Sequence, residues 1–249
     1  MKKTAVIMGM PVLIQIADRN AKEEDINEVF SYFHHIDKKF STYKKDSEVS
    51  QINRRELKEQ DYSREMKKIL SLSQKTKEET NGFFDIYKNG LMDPSGIVKG
   101  YAINEGANIL LKKGYENIYV EIAGDIQVYG KDKNKEEWKI GIQNPFNPKE
   151  IVKVVELSGK GIATSGNYVR GSHIYNPKGK LTEKIVSVTL IGPNVYEADR
   201  FATAIFAMGD AGPDFAVTLK GFESYIIRGN KQAIYTEGFE RYTKGDAVN

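Results

Sequence analysis

The chain has 249 residues, no cysteine, and a net charge of +3 from 37 basic and 34 acidic side chains. The missing thiols exclude a disulfide scaffold, thiolate metal centres and a cysteine nucleophile, and 3 histidines are too few for a multi-histidine metal centre. The near-balance of charge gives no reason to expect a nucleic-acid partner, and without a run of 18 apolar residues no membrane span is expected.

Residues 1–17 place Lys2 and Lys3 before a mostly apolar stretch ending at Ala17, as a secretory leader does. Gly9, Pro11 and Gln15 interrupt that stretch, and Val12, Ile14 and Ile16 alternate along it, so one strand over residues 5–17 is expected instead. The expected compartment is then cytoplasmic for the sequence as given, or extracytoplasmic if a leader was removed ahead of it. A helix follows over 21–39, because Ile26, Val29, Phe30, Phe33, Ile36 and Phe40 recur every three or four residues. Residues 40–53 read as a polar loop with a turn at 47–53. A second helix is expected over 63–80, capped by Ser63 and ended by Asn81-Gly82.

Asp93-Pro94 opens a third helix, with Asp93 accepting a first-turn N–H and Pro94 at the first helical position. Ile103, Ala107, Leu110 and Leu111 form its apolar face, and Gly114 is its left-handed cap. Strands are expected at 118–122, 126–129, 138–143, 151–157 and 185–191, a helix at 195–208 ended by Gly209, and a hairpin of 224–227 with 232–235 across Gly229-Asn230. Consecutive strands outnumber helices, which makes the class α+β with a largely antiparallel sheet. The length suits a single domain over residues 1–249, or two intimate subdomains.

Four constellations could carry chemistry. Asp199 and Thr203 stand four residues apart on one helix, so a carboxylate and a hydroxyl share a face, as a Mg²⁺ site or as a cap and a surface threonine. Residues 93–100 (DPSGIVKG) join a helix N-terminus, Gly96 and Lys99, which suits an anion or a well-capped helix. Residues 163–168 read as a turn rich in hydroxyls, followed by His173, while His34 and His35 lie on the first helix. Tyr43, Phe83 and Phe84 stand among turn residues, where they could stack on a flat heterocycle.

In chain order these pieces resemble the ApbE family of FAD:protein FMN transferases. The resemblance rests on Met8-Gly9-Met10-Pro11, Phe40-Ser41-Thr42-Tyr43, Gly82-Phe83-Phe84-Asp85 and DPSGIVKGYA at 93–102. It continues through Ala123-Gly124-Asp125-Ile126, Ile142-Gln143-Asn144-Pro145, IATSGNY at 162–168, HIYNP at 173–177, Ser187-Val188-Thr189 and EADRFATAIFAMG at 197–209. It implies an ApbE-like, T-fold-type α+β domain with largely antiparallel sheets and packed helices. It also implies a flavin transferase that uses Mg²⁺ and takes FAD as substrate. Such enzymes move the FMN half of FAD onto a threonine hydroxyl of an acceptor protein as a phosphoester and release AMP. The alternative is an FAD pyrophosphatase that hydrolyses FAD to FMN and AMP, and a non-catalytic flavin-binding module is a further competitor.

By the family pattern Asp199, Thr203 and the main-chain carbonyl of Gly96 would hold the metal. Lys99, Asp93, Met8, Tyr43, the Phe83-Phe84-Asp85 segment and Ile174 would contact FAD, and His173 would activate the incoming hydroxyl. The chemistry asks for such groups: cleaving a pyrophosphate builds negative charge that a cation and a lysine neutralise, and the hydroxyl needs a base. The implied acceptor carries a segment of the form Asp-x-x-[Ser/Thr]-[Gly/Ala]-Ala-Thr, which this chain lacks. Its apolar and aromatic content would permit a homodimer. Two departures stand out: Ala123 where relatives commonly have Gly, and Lys178-Gly179-Lys180 where Thr-Gly is usual.

Overall fold

In the computed structural model, which describes residues 1–166, 175–179 and 184–243, the N-terminal apolar stretch turns back on itself. Met8 and Gly9 both take positive φ, 58° and 68°, so β1 (Lys2–Ile7) and β2 (Met10–Ile16) form a hairpin instead of the single strand expected. α1 (Glu23–Phe40) follows with the anticipated stripe inward, Phe30 alone being only partly buried. The segment expected as a polar loop contains α2 (Glu48–Asn53): Ser47 Oγ accepts the Ser50 N–H at 3.0 Å, and Val49 is buried beneath it. α3 (Arg64–Glu79) starts as expected, with Ser63 Oγ accepting the Met66 N–H at 3.1 Å. A short hairpin of β3 (Tyr87–Lys88) and β4 (Leu91–Met92) leads into α4 (Ser95–Lys112).

α4 begins one residue later than the sequence suggests. Pro94 occupies the cap position, and Asp93 Oδ1 accepts the Ser95 N–H at 3.0 Å. Most of its residues up to Leu110 are buried, because both α1 and the next long helix pack against it. β5 (Ile118–Ile122), β6 (Asp125–Tyr129), β7 (Trp138–Asn144) and β8 (Asn147–Leu157) follow close to expectation. β9 (Lys160–Gly166) replaces most of the expected hydroxyl-rich turn: Thr164 and Ser165 pair with Thr189 and Val188 of β10 (Ile185–Gly192), and the Thr164 and Thr189 hydroxyls meet at 2.8 Å. α5 (Val195–Met208), capped by the Asn194 side chain, is followed by α6 (Gly212–Thr218), which the sequence did not announce, and by β11 (Glu223–Arg228) and β12 (Ala233–Tyr235).

Among the described residues eight strands form one sheet in the order β1-β2-β5-β6-β9-β10-β11-β12, every neighbouring pair antiparallel. Alternation along the strands gives it two apolar faces. Ile14, Val120, Val188 and Ile226 point to the helices, while Ile126, Ile162, Ile191 and Ile227 point to the β7–β8 hairpin. Burying each such side chain contributes about 2 kcal/mol. Among the described residues no helix is long and apolar enough to cross a membrane.

Candidate active site

α4 and α5 approach so closely that a Cβ on Gly100 would lie 2.6 Å from Asp199 Cβ and 2.9 Å from the Val195 carbonyl oxygen. Only a glycine fits there, and its N–H donates to Asp199 Oδ2 at 2.8 Å. In a regular helix that N–H belongs to the carbonyl four residues earlier, which is Gly96. The Asp199 carboxylate therefore competes for it and relieves the Gly96 carbonyl of an undivided hydrogen bond.

One turn along α5, Thr203 faces two neighbours. A Cβ added to Gly96 would lie 3.3 Å from Thr203 Cγ2, and Ser165 of β9 places its Oγ 3.3 Å from Thr203 Oγ1. The turn at Ala123 (φ 50°) and Gly124 (φ 89°) brings Asp125 to the first position of β6, where the Thr164 N–H donates to Oδ1 at 3.1 Å. Lys99, one turn into α4, reaches between the two acids: Nζ lies 2.6 Å from Asp125 Oδ2 and 3.9 Å from Asp199 Oδ1. Burial pushes the Asp199 carboxyl well above the ordinary carboxylate range; Lys99 pulls it back, and the neighbouring Asp125 carboxylate pushes it further up.

Gly96, Lys99, Ser165, Asp199 and Thr203 form the floor of a cavity of about 330 Å³, and Asp125 lies behind it against Lys99. One wall is the Phe83-Phe84-Asp85 segment and the other is β7, through Ile140, Ile142 and Gln143. The Asp85 carboxylate is held by Lys77 at 2.7 Å and by the Tyr87 N–H at 2.9 Å. Tyr175 closes one side, its hydroxyl against the carbonyl oxygens of Asp85 and Tyr87, and Lys178 Nζ lies 4.6 Å from the Phe83 ring centroid.

The structure thus brings Gly96, Asp199 and Thr203 together with Lys99 and Asp93, and sets Phe83, Phe84 and Asp85 along the same cavity. Met8, in the β1–β2 turn, and Tyr43, 96% exposed, do not line it. His173 and Ile174 lie outside the described residues. Sequence reasoning names Ser165 only as part of a hydroxyl-rich turn, and passes over Asp125 and Tyr175 as site residues. An acid opening a strand between two apolar positions, Asp125-Ile126-Gln127-Val128, is the available signal for Asp125.

The floor fits a hard divalent cation. Two buried carboxyl groups face the Lys99 ammonium, and a cation there would favour the ionised form of Asp199 that burial opposes. Asp125 Oδ2 has that ammonium as ionic neighbour but accepts no regular hydrogen bond. Carboxylate, hydroxyl and carbonyl oxygens are the donor set that Mg²⁺ prefers.

The ApbE family pattern matches residues 8–94 and 87–226. An FAD:protein FMN transferase of Klebsiella pneumoniae (strain 342) is 30% identical over 147 residues, 55% of this chain and 42% of that protein. One of Vibrio cholerae serotype O1 is 34% identical over 130 residues, 48% of this chain and 39% of that protein. The matched stretch therefore spans less than half the length of either relative. The flavin transferase ApbE from Vibrio cholerae superposes with a TM-score of 0.84 at 21% identity, covering 97% of this chain and 98% of that one. For the ApbE protein from Thermotoga maritima the TM-score is 0.87 at 22% identity, with 98% and 99% covered. The fold is the one these structures share, and with the family pattern running through most of its length the chain belongs to the ApbE family.

Proposed function

We propose that this chain is an FAD:protein FMN transferase, which binds FAD in the cavity, transfers its FMN half to a threonine hydroxyl of an acceptor protein and releases AMP. One observation carries the reading: Gly96, Lys99, Asp199 and Thr203, from two helices, converge on the floor of a single cavity in a member of this family. The relatives it matches are named FAD:protein FMN transferase.

Asp199, Thr203 and the Gly96 carbonyl would hold Mg²⁺, which when bound neutralises phosphate charge and makes AMP a better leaving group. Lys99 adds an ammonium for the non-bridging oxygens of the pyrophosphate. The Phe83–Asp85 wall and β7 hold the flavin dinucleotide between them and exclude water. The threonine oxygen attacks the phosphorus of the FMN half, the bond from that phosphorus to the AMP oxygen breaks, and the hydroxyl proton passes to a base. His173 is the proposed base, an imidazole being able to take up the hydroxyl proton.

The test incubates the chain with FAD, Mg²⁺ and an acceptor domain bearing the Asp-x-x-[Ser/Thr]-[Gly/Ala]-Ala-Thr segment. The expected result is FMN covalently on the acceptor by mass spectrometry, one AMP for each modification, and loss of both on adding EDTA. Free FMN and AMP with an unmodified acceptor would instead establish an FAD pyrophosphatase. FAD retained without AMP under any metal would establish a binding module.

A further inference from the structure

Asp125 belongs to neither the ligand set nor the phosphate contacts just described, yet it is 1% exposed and pairs with Lys99 directly behind the cavity floor. The sheet fixes it from two sides: the Ala123-Gly124 turn starts β6 at this residue, and the Thr164 N–H of β9 holds Oδ1. Lys99 by contrast carries its ammonium on a flexible four-carbon stem. That ammonium lies 2.6 Å from Asp125 and 3.9 Å from Asp199, although both acids are buried and both attract it.

We infer that Asp125 is a positioning residue: it holds the Lys99 ammonium off Asp199, keeping an Asp199 oxygen open to a divalent cation and the ammonium available to a phosphate. In a floor this dry, opposite charges attract far more strongly than in water. Take away the charge on Asp125 and the pull of Asp199 on Lys99 is no longer balanced from that side. The ammonium then closes on Asp199, covers the oxygen a cation needs, and repels the cation as well. This inference rests on the metal reading of Asp199 and Thr203.

The test titrates Mn²⁺, a hard-oxygen probe visible by electron paramagnetic resonance, into the full chain without FAD. Asp125→Asn is expected to bind Mn²⁺ about tenfold or more weakly, the usual cost of losing a partner behind the ligands. Asp125→Asn/Lys99→Met keeps the net charge of the native trio and removes the competitor, and is expected to return to within about threefold of the parent. Lys99→Met alone is expected to bind at least as tightly as the parent. A crystal structure of Asp125→Asn is expected to show the ammonium in direct contact with Asp199. Unchanged binding in Asp125→Asn, an equally weak double variant, a weaker Lys99→Met, or an unmoved ammonium each overturns the inference and leaves the metal reading standing. A parent chain that binds no Mn²⁺ overturns both.

Discussion

Asp199 on the cavity floor and Asp125 behind it are 3% and 1% exposed, while Tyr43, assigned to the same ligand by family pattern, is 96% exposed. The floor residues are held by backbone: Gly100 N–H on Asp199, Thr164 N–H on Asp125, and a helix contact with no room for a methyl group. On the Phe83–Asp85 side several contacts are made by side chains, such as the Tyr175 hydroxyl on two carbonyls or Lys178 over Phe83. A floor of that kind would fix distances to the phosphates of the proposed substrate, whereas that side could adapt to what enters. Substitutions on the floor should therefore cost chemistry or the hold on the phosphates, and substitutions at the periphery should cost binding alone.

Asp199→Ala should break the floor most severely. Losing the one carboxylate of the proposed ligand set removes several kcal/mol of charge stabilisation, so Mg²⁺-dependent AMP release should fall at least about a hundredfold. Chromatographic assay of AMP decides it, and an undiminished rate would take the metal away from α5. Next comes Gly100→Ala. The new methyl would meet Asp199 Cβ and the Val195 carbonyl well inside contact distance, forcing α4 and α5 apart. Overpacking of this sort costs about 1–3 kcal/mol, or roughly 3–10 °C in Tm for a chain of this size, with AMP release falling as Asp199 shifts. Calorimetry showing an unaltered Tm would mean that the helix contact yields at no cost. Lys99→Ala should be milder still, raising the FAD dissociation constant about tenfold through loss of a charge-assisted contact. Calorimetric titration without metal isolates that contribution, and an unaltered constant would leave Lys99 only its ion pairs.

The same division governs what can be read from residues alone. Asp199 and Thr203 are legible as a pair because one helix turn joins them, and α1, α3 and α5 because their apolar stripes repeat at the helical period. Asp125 is not legible as a site residue: its partners Lys99, Thr164 and Asp199 lie on other elements, and only the sheet order brings them together. β9 reads as a turn because Thr164, Ser165 and Gly166 are turn-forming in isolation. Their strand depends on β10 beside them. The β1–β2 hairpin escapes because Met8, a residue that rarely adopts positive φ, does so in its turn. α2 escapes because a single buried side chain, Val49, anchors it among polar neighbours.

Tyr43 is where the contrast is sharpest, because an aromatic ring left almost wholly in water gains nothing for the fold. Its backbone is nevertheless tied down: the Tyr43 N–H donates to Ser41 Oγ at 3.2 Å, and Ser47 Oγ donates to the Ser41 carbonyl at the root of the same turn. A ring presented on a braced turn is prepared to stack on a flat heterocycle without the entropic cost of first ordering the chain. Tyr43→Ala should therefore change stability by no more than about 0.5 kcal/mol while weakening FAD binding a few-fold, by about 1 kcal/mol. Tyr43→Phe should restore the affinity, since the ring face and not the hydroxyl makes the contact. Denaturant titration and fluorescence titration with FAD measure the two quantities separately. A variant as stable and as tight-binding as the parent would leave the exposed ring without a part in flavin recognition, and the floor would then stand alone as the site.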